Sequence, residues 1–295
     1  MAESPSHRFG QIVGEVLEAA ILPLLQDFAQ THALYLDKKG TRPARKGVRC
    51  TWVDLNKNAH NLDFVLERGG TPQKIGVPAA FIESAWRRYT KHSRNKAQEI
   101  QGAIVPLAET YRNVSPFMGA TLAGVFTEGA LKQLNSLGFS VLYFPYDLVI
   151  RVFRRFGIDA SSDERTPDRE FQSKVDAWKA LTPARRNALS KALITANKAQ
   201  VNAFMNSLAA AASRQVERVI ILPLHGSGYE VVNIADAITF IESYDEQTPR
   251  GAIDRYDIQV RFNNGNVING VFKDKRSALE FLATYLPPVP PQNNP

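Results

Sequence analysis

The chain of 295 residues contains one cysteine, Cys50. That excludes an intramolecular disulfide and any cysteine-rich zinc site, and a reducing compartment, the cytosol, is the expected location. No apolar run approaches the roughly 20 residues needed to cross a bilayer. The opening Met1-Ala2-Glu3-Ser4-Pro5-Ser6 lacks the layout of a secretory leader, so no membrane partner is expected. Glycine-rich phosphate loops of the P-loop or Rossmann type are missing, as is any histidine spacing suited to a metal, which removes nucleotide hydrolysis and hydride transfer from consideration. No internal repeat is evident on reading.

What the chain has in excess is positive charge. Lys and Arg number 36 against 29 Asp and Glu, for a formal charge of +7 and a pI near 9.5. Such a balance favours an acidic partner, and nucleic acid is the commonest.

Residues 62–109 hold the most informative pattern. Leu62-Asp63-Phe64-Val65-Leu66-Glu67 reads as a strand, Gly69-Gly70-Thr71-Pro72 as a turn, and Ala79-Ala80-Phe81-Ile82-Glu83-Ser84-Ala85-Trp86 as a second strand. Each places an acid inside an apolar run. A buried carboxylate is costly unless it is paired, hydrogen-bonded or holding a cation, and two within reach of each other repel. A metal ion would satisfy both. After the basic run Arg87-Arg88-Tyr89-Thr90-Lys91-His92-Ser93-Arg94-Asn95-Lys96, a helix is expected with Ile100, Ile104, Leu107 and Tyr111 on its buried face. Lys96 falls at the N-terminal end of that face, on the line of Ile100, Ala103 and Leu107, and Glu99 is one step round.

At these residues the chain resembles the PD-(D/E)XK nucleases, the restriction-endonuclease-like superfamily. The resemblance covers about the first 150 residues and implies an α/β (α+β) fold, a mixed central sheet flanked by helices. It further implies that Asp63 and Glu83, with the carbonyl of Ser84, hold Mg²⁺ beside a scissile phosphate. Ala85 stands where the family has lysine, and strand alternation aims positions 83 and 85 at the same face. Lys96, Glu99 or Lys91 would then supply the displaced group. Asp54 is a rival to Asp63. In the resembled fold the first helix often adds an accessory acid. Glu15 and Glu18 both lie on the helix expected over 8–30, whose apolar stripe is Ile12, Val16, Ala19, Ala20 and Leu24. Glu15 is assigned the role.

Between Leu36 and Arg49 the chain reads as an irregular basic loop, since Gly40, Pro43 and Gly47 interrupt it. Its cations Lys38, Lys39, Arg42, Arg45, Lys46 and Arg49, together with Arg87 and Arg88, are the expected contacts to DNA phosphates or base edges. Cys50–Leu55 is expected to pair with the Asp63 strand through a turn over 56–61.

Further along, a helix is expected over 119–136, a strand over 140–146 and a helix over 147–156. The order helix, three strands, helix, strand agrees with the nuclease core, and alternating strands and helices argue independently for a mixed sheet. The polar run 157–167 reads as a boundary. It separates a core of 1–156 from a helical segment of 168–217 and a β-rich segment of 218–286. In the last, Asn264-Gly265 marks a hairpin and Ser277-Ala278-Leu279-Glu280 a capping box. His225 stands in a loop without a Ser-Asp partner pattern. The tail 287–295 should be extended or disordered.

The expected activity is Mg²⁺-dependent hydrolysis of double-stranded DNA, similar to that of type II restriction endonucleases, with a homodimer implied by the resemblance. The alternative is a nuclease-fold protein that has lost catalysis and only binds nucleic acid, for which Ala85 is the argument. A third possibility is a repair or recombination nuclease that shares the site and reads DNA shape.

Overall fold

A computed structural model describes residues 4–89, 93–224, 227–247, 253–263, 265 and 267–286. Lys91, His225, Asn264 and the tail 287–295 lie outside the described residues. Two compact units emerge: Met1–Tyr111 with Pro116–Leu208, and Arg112–Ser115 with Ala209–Pro295. The polar run 157–167 is therefore internal to the first unit, and the division after Leu208 falls close to the expected start of the β-rich segment at 218.

The first unit opens with α1 (Pro5–Thr31), started by Ser4, whose hydroxyl accepts the His7 N–H at 3.3 Å. A five-stranded mixed sheet follows in the order β1 (Leu34–Lys38), β4 (Phe64–Arg68), β5 (Val77–Arg87), β6 (Phe117–Gly124), β7 (Ser140–Pro145). The first three are antiparallel and the last three parallel. A separate hairpin, β2 (Cys50–Val53) with β3 (Ala59–Leu62), precedes β4. Helices α2 (Ser93–Thr110), α3 (Glu128–Ser136) and α4 (Tyr146–Arg154) connect and cover the strands.

Three expectations change here. Phe117–Gly124 is a strand and not the start of a helix; it lies between β5 and β7, buried on both faces, so its residues show no period of two. The N-terminal part of the basic stretch is edge strand β1. Asp63 sits at the bend between β3 and β4, outside the regular part of either strand.

Helices α5 (Asp168–Ala180), α6 (Pro183–Ala196) and α7 (Lys198–Ala212) form where helices were expected. The first two pack on α1. Phe171 meets Phe9 at 6.4 Å between ring centres, and Ser190 Oγ donates to the Val16 carbonyl at 3.5 Å. They brace the first unit.

The second unit contains β8 (Val216–Pro223), β9 (Tyr229–Val231), α8 (Ile234–Ser243), β10 (Tyr256–Phe262), β11 (Val267–Phe272) and α9 (Lys275–Ala283), with sheet order β11-β10-β8-β9. This is one hairpin-plus-helix motif written twice, contrary to the expectation of no repeat. Shifting by 41 positions superposes Val219 on Val260, Ala237 on Ala278, Phe240 on Phe281, Ile241 on Leu282 and Tyr244 on Tyr285. Val219 and Val260 are also direct partners in the ladder, so a pseudo-two-fold axis passes between them. The geometry repeats as well: Phe240–Tyr244 ring centres are 5.3 Å apart and Phe281–Tyr285 5.2 Å. Each helix begins on a reciprocal pair. Asn233 accepts the Asp236 N–H and donates to its carboxylate, while Asp274 accepts both the Ser277 N–H and its hydroxyl. The cap of α9 is thus Asp274, three residues before the expected Ser277.

No helix of the described residues is long and apolar enough to cross a membrane.

Candidate active site

Glu83, in the middle of β5, and Asp63, at the bend before β4, are locked to each other through the backbone. Asp63 Oδ2 accepts the Ser84 N–H at 2.7 Å, and the Glu83 carboxylate accepts the Asp63 N–H. Phe81 and Ala85 pack with Ala97 and Ile100 of α2. Alternation therefore turns Glu83 toward the same helix.

Burial, then repulsion from Asp63, pushes Glu83 up to about 8. Burial also raises Asp63, against the pull of the Ser84 N–H, Lys96 and Lys39. Among the described residues, neither carboxylate has an ion-pair partner in contact. The structure thus holds two acids together and leaves their charge uncompensated at close range. That arrangement stores a demand for a cation.

Lys96 is the nearest candidate from the helix. Its side chain is 19% exposed, and its Nζ lies 3.2 Å from Glu99 Oε2. Its charge still favours the ionised forms of Asp63 and Glu83. The expected inward line of Ile100, Ala103 and Leu107 is corrected: the buried line is Ala97, Ile100, Ile104 and Leu107, and Lys96 flanks it. Glu99 is shared, since Arg87 Nη2 approaches the same oxygen at 3.6 Å. Glu99 therefore neutralises two cations and does not join the carboxylate pair. Lys91 lies outside the described residues.

Of the two acids on the first helix, Glu18 is the one coupled electrostatically to the carboxylate pair. Glu15 is exposed and pairs with Arg8 at 2.9 Å. Glu18 is exposed as well, yet its carboxyl is pushed up to about 7 by desolvation first and by Asp63 second, with Lys39 opposing. The buried face of α1 adds Phe9, Val13, Leu17 and Ile21 to the expected Ile12, Val16 and Ala20, while Ala19 is exposed. Asp54 has a local duty: its carboxylate accepts the Asn56 and Asn58 N–H groups and meets His60 Nε2 at 2.9 Å, closing the β2–β3 hairpin. These bonds hold it down to about 2.

The basic stretch splits into two kinds of cation. Arg42 is buried, bidentate to Glu67 at 2.6 and 3.0 Å, 2.9 Å from Asp37, and donating to the carbonyls of Thr71 and Lys74. Arg45 bonds Asp37 and the carbonyls of Lys38, Gly40 and Gly47. Both are corrected from DNA contacts to braces of the loop, because their donors are spent on a buried network. Lys38, Lys39, Lys46 and Arg49 remain exposed. Arg88 donates to the Ser6 carbonyl and lies over the Phe171 ring.

Beside the carboxylates, a cleft of about 620 Å³ is lined by Ser84 to Tyr89, by Asn95, Lys96 and Glu99 of α2, and by the first turns of α1. The Ser84 Oγ is itself buried and, among the described residues, has no hydrogen-bond partner.

Among the described residues, no three His, Cys, Asp or Glu side chains group closely enough to cage a metal ion. Two carboxylates suit Mg²⁺, which keeps several waters and binds through one or two acids plus substrate phosphate.

No protein-family model, curated protein or solved structure matches the chain.

Proposed function

We propose that the first unit is a divalent-metal-dependent phosphodiesterase acting on double-stranded DNA, with a restriction-endonuclease-like core. The reading rests above all on the interlocked pair of half-buried Asp63 and buried Glu83, which among the described residues has no cation in contact, and whose neighbour Ser84 lines a basic cleft. The element order α1, β1, β4, β5, α2, β6 is compatible with such a core, although the expected strand at Cys50 forms a separate hairpin and the strand after α2 is Phe117–Gly124.

Asp63 and Glu83, with the Ser84 carbonyl, would hold Mg²⁺, which when bound polarises a phosphoryl oxygen and lowers the pKa of the attacking water. Lys96 stands where a cation can offset charge developing on the phosphate, in place of the lysine that Ala85 lacks. Glu99 orients Lys96, and Glu18, held partly protonated near neutral pH, can exchange a proton beside the pair. Lys38, Lys39, Lys46 and Arg49 supply exposed charge for the duplex backbone. Its two-fold symmetry favours a homodimer for a site-specific cutter.

The test is plasmid cleavage in Mg²⁺ with Glu83→Ala and Lys96→Ala under single-turnover conditions. Glu83→Ala should abolish cleavage and leave metal-free DNA affinity equal or higher. Lys96→Ala should slow cleavage by orders of magnitude. Wild-type speed in Glu83→Ala sinks the proposal.

One observation favours a second reading, a protein that binds nucleic acid without cutting it. Position 85 is filled by an alanine buried against α2, and the direct partner of Lys96 is Glu99. Tight binding with no cleavage in any divalent metal would establish that reading.

A further inference from the structure

The 620 Å³ cleft has an unusual wall. Gly10 and Gly14 lie one turn apart on α1 and both line it. Glycine weakens a helix relative to alanine, so two at this spacing need a reason, and packing gives none. A methyl at Gly14 would meet nothing within 4 Å, and one at Gly10 would touch only Arg88 Nη2 at an ordinary 3.7 Å. Both residues therefore expose helix backbone to the cleft that alanine would screen, without being needed by the fold.

The opposite walls carry Arg87, Arg88 and Lys96 against one acid, Glu99, which is already shared by Arg87 and Lys96. Among the described residues, Arg88 donates only from Nη2, to the Ser6 carbonyl, and its guanidinium lies over Phe171 at 4.2 Å. The occupant these features suit is anionic and narrow enough to press on a helix backbone.

We infer that the cleft takes one sugar-phosphate strand of the nucleic acid, seated against α1 at Gly10 and Gly14, with a phosphate on Arg88. This deepens the proposed function and rests on it. Arg88 positions the strand, and the two glycines determine how closely it approaches.

Alanine at these sites separates fold from function, because it should strengthen the helix while filling the strand's path. The experiment measures melting temperature and, in metal-free buffer at low salt, the affinity of a fluorescent 14-base-pair duplex and of its single strand, for wild type, Gly10→Ala, Gly14→Ala and the double variant. Gly102→Ala, at an exposed site of α2 with nothing within 4 Å, is the control. The expected result is a raised melting temperature in all variants, with affinity reduced tenfold or more in the double variant alone and unchanged in the control. Unchanged affinity and cleavage in the double variant overturn the inference while leaving the nuclease reading standing. A wild type that binds the duplex but never cuts overturns the nuclease reading and leaves the cleft to be judged by the variants. Wild type binding neither probe overturns both.

Discussion

The two units solve the problem of a buried core in opposite ways. The second unit carries nine Lys and Arg against ten Asp and Glu, so the entire positive balance of the chain belongs to the first, with 27 against 19. Among the described residues, every buried charged side chain, Asp37, Arg42, Asp54, Glu67, Glu83 and Lys174, is in the first unit. The core of the second is built from Val219, Ile221, Ala237, Ile241, Val260 and their like. Apolar symmetry makes a stable scaffold, whereas interior charge costs stability unless each group is answered. Where the first unit answers its charges, as at Arg42, the result is a brace. Where it does not, as at Asp63 and Glu83, the result is a candidate for chemistry.

Removing the answered charge should break this contrast most severely. Arg42 and Glu67 are 2% and 0% exposed, and Arg42→Ala strands Glu67 without a counter-charge, while Asp37 keeps only Arg45. The expected loss is about 3–5 kcal/mol. Trp52, Trp86 and Trp178 all belong to the first unit, so urea unfolding followed by tryptophan fluorescence reports this unit alone. Amide exchange in α8 and α9 should be unaffected, and a matching loss of protection there would mean that the units do not differ as described.

The unanswered charge should act through pH. Glu83 is raised from 4.5 to about 8, so between those values the folded chain holds a proton that the unfolded chain releases. Without divalent metal, stability should therefore fall as pH rises through this window, with the full penalty above about 8 and none below 4.5. Glu83→Gln should flatten the slope and stabilise the metal-free protein at pH 8.5 by roughly 2–3 kcal/mol. Mg²⁺ should stabilise wild type far more at pH 8.5 than at pH 5.5, and calorimetry in buffers of different ionisation enthalpy should detect proton release on binding. A pH-independent metal effect would contradict the raised Glu83.

The smallest effect sharpens the other side of the comparison. Val219→Ala and Val260→Ala delete equivalent side chains at the pseudo-two-fold axis, both 0% exposed. Each should cost about 1–2 kcal/mol, and the two costs should agree closely by amide exchange in the second unit. A large inequality would show that the repeat is one of outline only.

Much of the first unit was readable because its signals are local. The apolar spacing of α2 and the turn at Gly69-Gly70 place Glu83 on β5 with no reference to distant residues. Signals failed where partners are remote or periodicity is erased. Arg42 looked like one more surface cation because Glu67 lies 25 positions away. Strand β6, rich in Gly and Ala and covered on both faces, gave no alternation. Glu18 is separable from Glu15 only by its coupling to Asp63 and Glu83, both far away in sequence. The repeat escaped notice because its matches are spread thinly over 41 positions and its two loops differ in length.

That repeat carries a consequence for how such a chain could arise. The fragment from β8 through α8 alone would expose one side of β8 as an unpaired edge, the side now closed by β10. Since the axis passes through Val219 and Val260, two identical copies of that fragment can satisfy each other by setting Val219 against Val219 in the same antiparallel ladder. The second unit is in this sense a homodimer made permanent by a covalent linker. Its seam is self-complementary: Val219 and Val260 occupy equivalent places on either side of it.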